Sequence, residues 1–131
     1  MRSLLLLPML LLSACAALQQ QSPYLTGHWG GAHVGLVMEG GLGRLEYDCA
    51  SGTIDGPVLI APDGRFEAQG AHIPGQGGPI RVGQIFTSHR AQYSGWVRED
   101  VMELSARLEN GTLVGPFTLR RNAEPQIFRC L

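Results

Sequence analysis

What most restricts this chain is the alternation of apolar and polar residues in short runs, broken by glycine, asparagine and aspartate. A period of two buries one face of a strand and wets the other, and it cannot supply the stripe a packed helix needs. Val34, Leu36 and Met38 share one face; Leu45, Tyr47 and Cys49 share the next, against Glu46 and Asp48, with Gly40 to Gly43 as the turn between them. Asp63-Gly64 signals a hairpin, because both residue types tolerate the positive φ of a type I′ turn. Val58 to Ala61 is its expected incoming strand, and Phe66 and Ala68 alternate with Arg65, Glu67 and Gln69 on the return. Ala91 to Val97 leads through Arg98-Glu99-Asp100 into Val101 to Leu108, where Met102, Leu104, Ala106 and Leu108 oppose Glu103, Ser105 and Arg107. Asn110-Gly111 turns the chain into Thr112 to Arg120, with Leu113, Phe117 and Leu119 on one face.

Beyond the N-terminal segment no sustained 3.6-residue apolar stripe occurs, so the expected fold class is all-β. Seven or eight short strands joined by tight turns imply a single small antiparallel meander, and closing it into a barrel removes the edges that invite aggregation. An open sandwich is the alternative. Ile73 to Gly83 holds four glycines and two prolines and reads as one long loop, a lid if the barrel has a mouth. The proposed inward residues are Leu36, Met38, Leu45, Tyr47, Phe66, Tyr93, Met102, Leu104 and Phe117, and of these Leu36, Met38, Tyr47, Phe66, Tyr93, Met102 and Phe117 are the candidates to line a ligand cavity. Their bulk argues for a filled or narrow interior.

The chain opens with Met1-Arg2, runs through an apolar stretch from Leu4 to Leu12 that Pro8 interrupts, and reaches Leu12-Ser13-Ala14-Cys15. That is the layout of a secretory signal, and it is about half the length a helix needs to cross a bilayer. Leu-Ser-Ala-Cys resembles the lipobox of bacterial lipoproteins at all four positions. The resemblance implies removal of residues 1–14 as a signal peptide, acylation of Cys15, and a membrane contact through that lipid. Ala16, where an aspartate would retain many such proteins at the inner membrane, implies the outer membrane, facing the periplasm. An ordinary secreted protein cut at the same place is the alternative. Residues 15–23 then form a tether, and 24–131 one domain with a modest core.

With Cys15 given to lipid, Cys49 and Cys130 remain, and export places them where a disulfide persists. Their pairing would close a loop of roughly eighty residues and stabilise the fold by roughly 4 kcal/mol on the chain-entropy account. Two free buried thiols are the alternative.

Gly27-His28-Trp29 at the opening of the first strand resembles the calycin barrels, the group that includes lipocalins and avidins. In that group the tryptophan closes one barrel end and a late arginine packs over it. The resemblance gives Trp29 the first role and Arg120 or Arg121 the second; a plain core aromatic is the other reading of Trp29. Lipocalins also join an early strand to the C-terminal tail by a disulfide, as Cys49 and Cys130 would. Leu45 to Cys49, with a cysteine at the extreme C-terminus of a lipid-anchored barrel, is similar to the membrane-bound inhibitors of C-type lysozyme. Ser88 to Tyr93 departs from that family's inhibitory loop, since it holds no glycine, and the chain contains no lysine.

Net charge is −1 and only 16% of residues are charged, which excludes the basic field a nucleic-acid binder needs. His28, His33, His72 and His89 are scattered, with no two at the spacing that shares a strand face, so no metal site is expected. No Gly-x-Ser-x-Gly elbow surrounds Ser51 or Ser94, and Glu99-Asp100 falls in a turn; no catalytic residue and no cofactor is expected. The expectation is a non-enzymatic binding lipoprotein for a small apolar ligand or an envelope partner. The alternatives are an inhibitor of a periplasmic or host hydrolase, acting through Ile73 to Gly83 or Ser88 to Arg90, and a structural envelope component.

Overall fold

A computed structural model describes residues 22–75, 79, 81–85 and 87–130. The lipobox, most of the tether and part of the long loop lie outside the described residues. Eight strands follow one another: β1 (Gly27–Gly31), β2 (Val34–Glu39), β3 (Leu42–Tyr47), β4 (Ala50–Ile54), β5 (Arg65–Pro74), β6 (His89–Arg98), β7 (Val101–Leu108) and β8 (Leu113–Arg121). Each pairs antiparallel with the next, and β8 returns to β1 through Trp29 opposite Arg121 and Gly31 opposite Leu119. The fold is a closed eight-stranded antiparallel barrel, and no strand edge is left without a partner ladder.

Alternation sets the faces as the sequence implies for most strands. Val34, Leu36, Met38, Leu45, Tyr47, Phe66, Ala68, Ala91, Tyr93, Met102, Leu104, Ala106, Leu108 and Leu119 are buried in one core. Two segments depart from the expectation. Val58 to Ala61 is not a ladder strand: it makes one bridge, Leu59 to Tyr24, and Leu25 N donates to Val58 O at 2.9 Å. Its alternation is real, but its partner is the short N-terminal segment, and together they lie across a barrel end with Leu25 and Val58 buried. The actual fourth strand is Ala50–Ile54, and β5 extends to Pro74, so the long loop starts at Gly75 rather than Ile73.

The two Asx-Gly turns are tight, but they are not type I′, since only the glycine of each carries a positive φ (Gly64 90°, Gly111 89°). In both, the glycine N donates back three residues, to Ala61 O and Leu108 O, and the preceding Asx side chain accepts from the residue after the glycine. That is the three-residue turn with a left-handed glycine, which costs a glycine nothing in sterics. Between β7 and β8 the register slips between Leu104 and Ala106, so Val114 and Phe117 both turn inward and Leu113, expected inside, is exposed.

After β8 the chain does not end at the sheet. Asn122 N donates to His28 O, Gln126 N to Gly31 O, and His33 N to Gln126 O, so residues 122–128 run up the outer wall beside β1. Gly30 and Gly35 make room for this strap: a Cβ at Gly30 would overlap Ala123 O, and one at Gly35 would press on Pro125.

Candidate functional site

The barrel has two structurally distinct ends. At the first, Trp29 is almost wholly buried and its indole N–H donates to Thr26 O at 3.0 Å. The Arg121 guanidinium lies 4.3 Å from the Trp29 ring centroid and is held by Asp100 Oδ1 at 3.2 Å from its Nε. Arg120, the other candidate for that position, sits opposite Val101 and is exposed on the outer wall. The chain's alternation makes one of two neighbouring arginines face in and the other face out. Leu25 and Val58 complete the plug around Trp29.

The interior is occupied by its own side chains. Leu36, Met38, Tyr47, Phe66, Tyr93 and Met102, all candidate lining residues, are buried, and Phe117 is half-buried against them. The Tyr47 ring stands 5.5 Å from Phe117 and 5.4 Å from His72, centroid to centroid. Tyr47 and Tyr93 are neighbours in this core, and Tyr93 Oη donates to Ala71 O at 2.9 Å. Burial pushes the Tyr47 hydroxyl far above its ordinary value and that of Tyr93 up to about 12, so both stay neutral donors in the core. Gly52 faces this pair; a Cβ there would come within 2.7 Å of Tyr93 Oη. Beside it His72 is buried with Nδ1 lacking any hydrogen-bond partner. Burial, reinforced by His89 across the β5–β6 ladder, holds the His72 imidazole below its ordinary value.

At the far end, Asp48 gathers three chain segments. Its Oδ2 pairs with His33 Nδ1 of the β1–β2 turn, and its Oδ1 accepts from Phe128 N of the strap at 2.7 Å. Cys49 and Cys130 are disulfide-bonded there, with Cα atoms 5.0 Å apart and a sequence separation of 81. Gly75 N donates to Cys49 O, so the long loop leaves from this same corner. Around it stand Phe128, Leu113 and, on the loop, Val82 and Ile85, all exposed. His89 Nδ1 lies 3.6 Å from Glu109 Oε1 on the same rim.

The four histidines therefore have separate roles: His28 pairs with Glu39, His33 with Asp48, His89 with Glu109, and His72 is interred. Among the described residues no group of three His, Cys, Asp or Glu could hold a metal ion. Ser94 is exposed on the outer wall, and Glu99 and Asp100 occupy the β6–β7 turn. Only Ser88 of the Ser88 to Arg90 segment lies outside a strand, and Tyr93 points into the core. Defined clefts occur on the outer wall, including one of about 340 Å³ against Gln69, Arg90, Gln92 and Arg107. Asp48 and Phe128, which organise the far rim, carry no local sequence signal: a turn aspartate and a tail phenylalanine gain their meaning only when the strap folds back.

No family model, curated protein or solved structure matches this chain.

Proposed function

We propose that this chain is a non-enzymatic lipoprotein, anchored through lipid on Cys15 in the outer membrane and facing the periplasm, which binds an envelope partner at the Cys49 rim. The observation that carries the choice of partner over cargo is the occupied interior. Trp29, Leu36, Tyr93, Met102, Leu104 and Leu119 are all less than 2% exposed or nearly so, and they fill the volume a guest would need. The anchor rests on Leu12-Ser13-Ala14-Cys15, and the Trp29–Arg121 stack adds support to the calycin resemblance.

A rim suits recognition. Asp48, the disulfide and the ladder ends fix its backbone, so exposed Phe128 and Leu113 are presented with little ordering cost. Inhibition of a periplasmic or host hydrolase uses the same surface, with Val82 and Ile85 on the loop as its protruding contacts.

Native mass spectrometry of the lipidated protein extracted from bacterial membranes tests the reading. The expected mass is the diacylated or triacylated chain less two hydrogens, unchanged by organic extraction. Release of a further apolar molecule on extraction would establish a cargo carrier instead. A photo-crosslinker at Phe128 should form a discrete adduct that the same group at Ser94, on the outer wall, does not.

A further inference from the structure

The described chain begins at the Trp29 end. Ile60 N donates to Pro23 O, Tyr24 bridges Leu59, and Leu25 N donates to Val58 O, which fixes Ser22 beside the plug. The same end exposes Tyr24 (47%), Leu59 (59%) and, in the β2–β3 turn, Leu42 (62%). Pro57, Ala61 and Pro62 are exposed among them, and Gly41 packs next to Pro57, which links the β2–β3 turn to the capping segment.

Acids and arginines at this end nearly balance. Asp63 is paired with Arg65 at 3.7 Å and Asp100 with Arg121 at 3.2 Å, while Glu39 shares a hydrogen bond with His28 at 3.0 Å. Among the described residues there, Asp55 and Glu99 are acids without an ion pair, and Arg98, stacked on Trp96, is a cation without one. The end thus shows water a cap of leucine, proline and tyrosine with little net field.

We infer that this cap rests on the lipid surface, with Tyr24, Leu42 and Leu59 at the level of the headgroups, and that the barrel stands with its Cys49 rim away from the membrane. The inference deepens the anchored reading above and depends on it. Seven residue steps separate Cys15 from Ser22. Fully extended they reach about 25 Å, and as a flexible chain about 15 Å. The ten-residue strand β5 runs about 33 Å, or about 25 Å along the axis at the usual barrel tilt, and because the tether joins the domain at the Trp29 end, that end meets the bilayer before the opposite rim. Tyrosine suits this depth, having an apolar ring and a polar tip. A patch of three side chains binds lipid weakly when free, but a short tether holds it at an effective concentration of about millimolar or above, which is enough to populate the docked state. Exposed Leu113, Val82, Ile85 and Phe128 at the other end are then left for a partner.

The test uses the full lipidated chain in nanodiscs of phosphatidylethanolamine and phosphatidylglycerol doped with a gadolinium-chelate lipid. Amide relaxation should be enhanced several-fold more at Tyr24, Leu42 and Leu59 than at Leu113 and Phe128. Doubly substituting Leu42→Glu and Leu59→Glu should reduce that gradient several-fold, to what the tether alone imposes, while the protein stays on the disc; an unchanged gradient would overturn the docked cap. Equal enhancement at both ends, or stronger enhancement at Leu113 and Phe128, in a chain that remains disc-bound would overturn the orientation and leave the anchor intact. A chain whose mass shows no acyl groups, or that leaves the disc, would overturn the anchor and the orientation with it.

Discussion

His72 is the polar residue whose environment is most out of keeping with its chemistry. It is buried, its Nδ1 has no partner, and both burial and His89 oppose its protonation. The unfolded chain takes up a proton below about pH 6.5 that the folded barrel resists, so stability is fully present above that value and falls on acidification. His72→Leu should flatten this acid slope and leave stability at pH 8 unchanged or higher, because it removes an unsatisfied buried group. Urea midpoints at pH 5 and pH 8 read both effects; an unaltered slope would exonerate His72. Little of this was legible in the sequence, which shows four histidines without showing which of them the ladder turns inward. Arg120 and Arg121 illustrate the same limit. Strand parity says that one faces in and one out, and only the register with β1 says which.

At the scale of elements, apolar alternation located β2, β3, β6 and β7 because their inward residues are large. It passed over β4 because Ala50 and Gly52 are small, and Gly52 is small for a reason found two strands away, where the Tyr93 hydroxyl lies over it. Gly52→Ala should therefore destabilise the barrel by about 1–3 kcal/mol through overpacking. It should also weaken the Tyr93 to Ala71 bond, with both changes read by thermal unfolding and by exchange of the surrounding amides. A neutral Gly52→Ala would mean that the tyrosine pair has room to shift. Conversely, Val58 to Ala61 has the right alternation and no strand ladder, since pairing depends on what the neighbouring chain offers. The β7–β8 register slip is likewise invisible locally, and it exchanges Leu113 for Val114 on the inner face.

For the whole molecule, the closed barrel could be argued from the sequence because so short a run of hairpins leaves two edges that closure unites. The cysteine pairing could be argued from compartment and count. The strap could not, since residues 122–128 have no pattern of their own and borrow their path from backbone groups of β1 and its turn. The joint substitution Cys49→Ser, Cys130→Ser should cost about 4 kcal/mol, by releasing a cross-link over 81 residues of sequence. Denaturant unfolding under oxidising conditions measures it. A loss below about 1 kcal/mol would mean that the strap's own hydrogen bonds suffice.

The disulfide also decides how the domain meets force. Its N-terminal segment enters at the Trp29 end and its C-terminal strap is welded at the opposite corner, through Cys49 to the β3–β4 turn. A pull between the proposed anchor and a partner held at that rim would therefore act along the barrel, loading the β1–β2 and β2–β3 ladders lengthwise so that their hydrogen bonds resist together. The strap cannot peel away first, because tension bypasses it at Cys130.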